Sequence, residues 1–191
     1  MILSASTIRG LLSGARKVID PVPDKSRLEF IEGNLFDLTL DEVRAVRIRT
    51  EEVFIGVDER IIPPADLIEW GFDGRSRSVV HLDMGRSYLL KSAESIKLPP
   101  GFQVLVLPRS SFFRGGGIIQ CTSTPFGYDG KITVGFSIPP KSQYFTLERG
   151  CHFCTLMFLR VDSNLPNDLD PYKGVYGGNK TTTEGQVERG F

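Results

Sequence analysis

Apolar and polar positions alternate along most of this chain, and the period of the alternation changes once. Near the start, Ile8, Leu11 and Leu12 recur at helical spacing behind Ser4, a side chain suited to capping, and Gly14 is a natural stop. A short helix is therefore expected, with residues 1–20 forming the helix and a lead-in. After Asp20-Pro21-Val22-Pro23 the period becomes two. Leu35-Phe36-Asp37-Leu38-Thr39-Leu40 and the run from Val43 to Ile48 alternate as strands do. Similar runs occupy Ser87 to Leu90, Gln103 to Leu107, Lys131 to Ile138, Tyr144 to Leu147 and Cys154 to Val161. Turn-formers separate them at Pro63-Pro64, Pro99-Pro100-Gly101, Gly115-Gly116-Gly117, Gly127 to Gly130 and Pro139-Pro140. Short strands punctuated this way predict a mainly β fold, a barrel or a double sheet. Asp162 to Asp168 reads as a loop. From Tyr172 to Phe191 the pattern dissolves into Gly174, Gly177, Gly178, Gly185 and Gly190 around Thr181-Thr182-Thr183. That tail cannot build a core. It is either a disordered terminus or a lid that orders over a ligand.

Composition narrows the function classes. The 191 residues are 40% hydrophobic and 24% charged, values of a globular chain, and one domain over 1–191 is expected. Lys+Arg and Asp+Glu both number 23, so the net charge is zero and a protein that coats nucleic acid is disfavoured. No apolar run approaches the ~20 residues of a membrane span, so no membrane partner is expected. Met1-Ile2-Leu3-Ser4-Ala5 lacks the layout of a signal peptide, and a cytoplasmic location is the expectation. Three cysteines make no disulfide framework. Cys151-His152-Phe153-Cys154 invites a metal, but Cys121 and His81 are the only further soft ligands and Cys154 opens an apolar strand. No metal site is expected there, and His81, between Val80 and Leu82, reads as a packed strand residue. Two histidines without a motif give no catalytic triad.

Arg109-Ser110-Ser111-Phe112-Phe113-Arg114-Gly115-Gly116-Gly117 carries more chemistry. Two guanidinium groups offer charge-assisted bonds, two hydroxyls offer neutral donors, and glycines let the backbone approach a ligand closely. Those are the needs of a polyphosphate. The competing reading is a surface turn with ordinary charges. The lysine and spacing of a P-loop are absent.

Arg109-Ser110-Ser111, then Arg114-Gly115, then Gly127-Tyr128-Asp129-Gly130-Lys131-Ile132-Thr133-Val134 resemble the dCTP deaminase branch of the dCTP deaminase/dUTPase family. The likeness extends over nearly the whole chain. It includes Leu3-Ser4 and Val18-Ile19-Asp20-Pro21, Asn34 to Leu40, Tyr88-Leu89-Leu90 with Glu94 and Leu98-Pro99, Glu148-Arg149-Gly150, and Pro171-Tyr172 through Tyr176 and Asn179. The resemblance implies a dUTPase-like jelly-roll or β-clip subunit in a homotrimer, with sites between subunits. It implies a deoxynucleoside triphosphate held by Arg109, Ser110, Ser111, Arg114 and Gly115, with Mg2+ on the phosphates. Gln120, Cys121, Thr122, Ser123, Thr124 and Tyr128 would meet the base and sugar, and Tyr172, Tyr176, Asn179 and Lys180 would belong to a tail closing over the nucleotide.

The chain departs from the family where the chemistry is done. The position of the deaminase general-base glutamate is Gly135, and the aspartate expected three residues before the turn's aromatic is Pro125. Neither can move a proton, a role worth roughly 10²–10⁴-fold in rate. Asp129 is the adjacent carboxylate, placed in the turn some six residues from Gly135, which is ~20 Å of extended chain. Glu184 and Glu188 lie on the tail, and Asp37 reads as structural. Two readings stand: a nucleotide hydrolase with a substitute base, and a nucleotide-binding sensor or regulator without turnover. Gly135 itself reads as an enlarged pocket wall or as a strand irregularity.

Overall fold

The computed structural model describes residues 1–13, 18–21, 31, 33–48, 53–120, 122–124 and 127–160, and the backbone of 187–189. The opening helix α1 (Ala5–Ser13) forms as the spacing requires. The Ser4 carbonyl accepts the Ile8 N–H at 3.0 Å, Ser4 Oγ accepts the Thr7 N–H at 3.4 Å, and Ile8 and Leu12 are fully buried. The period-two runs become the long strands β2 (Leu35–Val46), β8 (Ser87–Lys97), β9 (Phe102–Pro108), β12 (Asp129–Ser137), β13 (Phe145–Glu148) and β14 (His152–Arg160).

Two of the sequence runs are one strand. Leu35 to Leu40 and Val43 onward fuse into β2 because a bulge between Leu40 and Glu42 inserts one extra residue, which resets the alternation without ending the strand. The strand stops at Val46, short of Ile48. Several short strands among the described residues escaped the pattern reading. These are β3 (Phe54–Ile55), β4 (Glu59–Ile61), β5 (Ala65–Leu67), β6 (Gly71–Phe72), β7 (Ser78–Leu82), β10 (Ile118–Gln120) and β11 (Ser123–Thr124). β3 and β6 are exposed on both faces, so no alternation marks them. His81 lies on β7 but is exposed rather than packed, its Nδ1 2.9 Å from Thr146 Oγ1 across the β7–β13 pair.

The main sheet runs β10-β12-β8-β2-β14-β9-β11, with β1 (Ile19–Asp20) on β8 and β5 on β2. β13-β7-β6 form a second sheet, and β4 lies between β3 and β15 (Val187–Arg189) in a third. The main sheet must curl. Its terminal strands β10 and β11 are joined through Cys121 and Thr122 alone, a span of at most ~11 Å between Gln120 and Ser123. Inside the curl the even positions of β12, namely Ile132, Val134 and Phe136, meet Phe153, Leu156 and Phe158 of β14 within one core. The result is the mainly β, jelly-roll-like subunit with a short N-terminal helix that the family resemblance implied.

Between β9 and β10 the chain makes a short helix, α2 (Ser110–Arg114), pinned by buried Phe112. Phe112 meets Phe136 edge-on at 5.3 Å, and Phe136 meets Phe145 at 5.1 Å. This cluster explains the glycine run. A Cβ at Gly115 would lie 2.9 Å from Phe145 and one at Gly117 2.5 Å from Phe136, so both glycines clear aromatic rings.

Candidate functional site

Strand register assembles a polar cluster on the outward side of β2. Asp37 faces Thr155 on β14, and Cys154 faces Pro108 at the end of β9. Arg109 comes next in the chain and is locked there by its N–H on the Phe153 carbonyl, 3.2 Å away. Its Nη1 donates to Asp37 Oδ2 at 2.6 Å, Thr155 Oγ1 donates to Asp37 Oδ1 at 2.6 Å, and His152 Nδ1 lies 3.5 Å from Oδ2. The Asp37 side chain is 25% exposed and that of Arg109 43%, so one edge of the guanidinium is fixed while the other faces outward. Asp37 thus braces Arg109.

Ser110, Ser111 and Arg114 are exposed on α2, and their side chains have no hydrogen-bond or ion-pair partner among the described residues. A cavity of about 330 Å³ opens beside Ser111, lined by Phe112, Phe145, Leu147, Glu148, Cys151 and His152. Burial pushes the Cys151 thiol above its ordinary value, so it stays protonated and is a poor nucleophile or metal ligand. Cys154 is fully buried in β14. The group here that sequence reasoning missed is Thr155; its signal was a lone hydroxyl in the apolar run from Phe153 to Leu159.

Gly135 lies on β12 opposite Gln120 of β10 on one side and Leu89 of β8 on the other. Among the described residues no carboxylate stands beside it. Asp129 is the first residue of β12 rather than part of the preceding turn, and it is paired with Lys97 at 2.9 Å. Six residues of strand, ~20 Å, separate it from Gly135. Glu42, on the same outward face through the Thr133–Lys91–Glu42 row, is bound by Arg44 and lies 3.9 Å from Lys91. Asp41 accepts Lys131 Nζ at 2.9 Å and Arg149 Nη2 at 2.6 Å. Burial alone would raise its carboxyl, but these hydrogen bonds and the two charges hold it below its ordinary value. Glu94, 1% exposed, accepts Thr39 Oγ1 at 2.8 Å and Thr39 N–H at 3.0 Å, tying β8 to β2.

The residues expected at the base and sugar are dispersed over several elements. Gln120 is exposed on β10, Ser123 on β11, and Thr122 is held through its carbonyl by the Val106 N–H. Thr124 is 4% exposed and its Oγ1 has no hydrogen-bond partner among the described residues. Tyr128 is buried and its hydroxyl donates to the Lys131 carbonyl at 2.7 Å, so it packs beneath the turn with its polar end already used. Cys121, Pro125, Tyr172, Tyr176, Asn179, Lys180 and Glu184 lie outside the described residues. Of the tail, Val187–Arg189 pairs with β4.

Comparison with known proteins bears on the fold and the family. A family model described as dCTP deaminase-like matches residues 2–161. A dCTP deaminase of Korarchaeum cryptofilum is 28% identical over 185 residues, covering 96% of each chain. A probable deoxyuridine 5'-triphosphate nucleotidohydrolase of Aeropyrum pernix is 28% identical over 142 residues, 74% of this chain and 81% of that one. In fold, the chain resembles the crystal structure of 2'-deoxycytidine 5'-triphosphate deaminase from Agrobacterium tumefaciens, with a TM-score of 0.60 at 18% identity. That match covers 82% of this chain and 46% of the other, so this chain spans less than half of that structure.

Proposed function

The chain belongs to the dCTP deaminase-like family, and from that premise we propose that it binds a pyrimidine deoxynucleoside triphosphate through Arg109, Ser110, Ser111 and Arg114. One observation carries the reading. Arg109 is braced by Asp37 on one edge, while its outer edge, two hydroxyls and a second guanidinium have no partner among the described residues in a short stretch of chain. An oxygen-rich polyanion satisfies that donor set, and little else does. Gly115 serves the aromatic packing rather than the ligand. Among the described residues no group of three or more His, Cys, Asp or Glu side chains could hold a metal ion. Guanidiniums and hydroxyls fit phosphate, so Mg2+ belongs to this reading as a companion of the phosphate oxygens, where it offsets charge.

The same reading makes the protein a cytoplasmic homotrimer of pyrimidine nucleotide metabolism, with neither nucleic acid nor membrane as partner. No helix among the described residues is long and apolar enough to cross a membrane. Sites shared between subunits suit a chain whose phosphate donors lie on α2 and whose Gln120–Gly135 pair lies on β10 and β12.

Gly135 favours a second reading, that of a nucleotide binder without turnover. The side chain at this position cannot activate water, and Asp129, Asp41 and Glu42 are each paired. Melting temperature with dUTP, dCTP, dTTP and dATP in Mg2+ tests the first reading. A true ligand at 100 times its Kd adds about 2.7 kcal/mol, and no shift with any of them ends the nucleotide proposal. Release of ammonia, pyrophosphate or phosphate then separates an enzyme from a binder.

A further inference from the structure

His152 opens β14, where a slip in the ladder decides which way its side chain faces. The pairing with β2 shifts between His152 and Cys154, so His152 stands opposite Thr39 and Thr155 opposite Asp37. On a regular strand, residues i and i+3 point to opposite faces. The bulge cancels that difference, and both His152 and Thr155 come to Asp37. Asp37 divides its oxygens between them. Oδ1 accepts the Thr155 hydroxyl, while Oδ2 takes Arg109 at 2.6 Å and has His152 Nδ1 at 3.5 Å. The other ring nitrogen of His152, Nε2, has no partner among the described residues. The side chain is 48% exposed and lines the cavity of about 330 Å³ that Ser111 also lines.

The charges around this ring leave one gap. Asp37 on β2 is already answered by Arg109 at the end of β9. Across the cavity, the Glu148 carboxylate lies 3.8 Å from Arg77, and burial keeps the Cys151 thiol protonated. Arg149 is turned to Asp41, and His81 reaches the same wall only through Thr146. A proton on His152 therefore adds a positive charge that no free carboxylate nearby balances, and a polyanion at Arg109 would balance it. We propose, on the triphosphate reading above, that His152 is a further ligand of the phosphate chain, donating from Nε2 as imidazolium while Asp37 holds Nδ1, so that the triphosphate binds together with a proton. When the neutral ring gives its one proton to Asp37, Nε2 is an acceptor and cannot meet a phosphate oxygen; the charged ring donates from both nitrogens. An ordinary imidazole changes charge near pH 6.5, so the effect falls in the physiological range.

The test is calorimetric titration with inorganic tripolyphosphate and with dCTP, each with Mg2+, at pH 5.5, 7.0 and 8.5. Ratios of variant to wild-type Kd are compared, because protonation of the ligand itself cancels in them. His152→Gln should bind about tenfold more weakly than wild type at pH 5.5, the worth of one charge-assisted hydrogen bond, and within twofold of it at pH 8.5. His152→Lys, a cation throughout this range, should keep its affinity at pH 8.5 where wild type loses it. His81→Gln should follow wild type at every pH, which assigns the effect to one of the chain's two histidines. If the His152→Gln ratio changes less than threefold across the range, the proposal fails while the phosphate site stands, whether the loss is constant or absent. It fails as well if His152→Lys titrates like His152→Gln, since charge is then not what the position supplies. If wild type binds neither compound at any pH, the triphosphate reading falls and takes this one with it.

Discussion

Around Asp37, three strands bring partners to one carboxylate; around Gly135, two strands leave one side-chain amide with none among the described residues. The first region is β2, β14 and the end of β9, where one carboxylate collects a guanidinium and a hydroxyl. The second is β10 and β12, where a missing side chain lets an amide lie loose on the backbone. The contrast suits the two parts of the proposed nucleotide. Phosphate carries dense charge in fixed geometry, so a donor held in place loses little entropy on binding. A base edge offers weaker, neutral bonds, and a group free to turn can meet more than one pattern.

The sharpest way to break the contrast is to remove the braced group. Arg109→Ala should weaken tripolyphosphate binding about 100-fold, the loss of roughly two charge-assisted bonds at about 1.5 kcal/mol each. Isothermal titration at fixed ionic strength reads it, and a change under threefold would show that Arg109 is a structural ion pair only. Asp37→Asn keeps the shape and removes the charge that aims the guanidinium. The same titration should fall about tenfold, with a nucleotide preference between dUTP and dCTP that does not change. A shift in base preference would mean that the two regions are not separate.

Much of this frame was legible in the sequence, and the residues show why. Strict alternation in β8 and β12 reports one buried face, so those strands could be read directly, whereas β14, buried at every position from Phe153 to Leu156, was legible as an apolar run. β3 and β6 have no buried face and left no signal. The bulge at Asp41 disguised one strand as two. Gly115 and Gly117 looked like a phosphate cradle because glycine records only that something comes close; here the close approach is to Phe145 and Phe136. Arg109 and Asp37 were each visible, but their pairing and Thr155's share in it are matters of register. Gln120 over Gly135 is likewise a cross-strand fact, invisible to any reading along the chain.

Acid should loosen the tie between the regions. Asp41 binds Lys131 on β12 and Arg149 in the turn that leads into β14, so it spans both sides of the comparison. Despite its burial, those bonds hold its carboxyl below the ordinary value. A depressed carboxylate lends stability that is complete above its unfolded value, about pH 4, and disappears as pH falls through the lower folded one. Urea unfolding at pH 6 and pH 3 should therefore show a smaller loss in Asp41→Asn than in wild type. The expected difference is about 1 kcal/mol, since Arg149 is half exposed. Equal losses would remove Asp41 from the account.

The smallest effect is the most informative about the empty side. Gly135→Ala adds a methyl to an extended strand, where replacing glycine gains roughly 0.5–1 kcal/mol through lost unfolded-state freedom. Against that, the new Cβ would press on Gln120 Oε1 at 3.3 Å, closer than such contacts usually come. The obstacle is the far end of an unpartnered side chain, which can yield by a few tenths of an ångström, whereas at Gly117 it would be a buried ring. The two terms should nearly cancel, leaving stability within about 0.5 kcal/mol of wild type in urea melts, while Gly117→Ala, with a Cβ only 2.5 Å from Phe136, should be severely destabilised. A large loss at 135 would mean that Gln120 is clamped rather than loose, and the difference between the two regions would close.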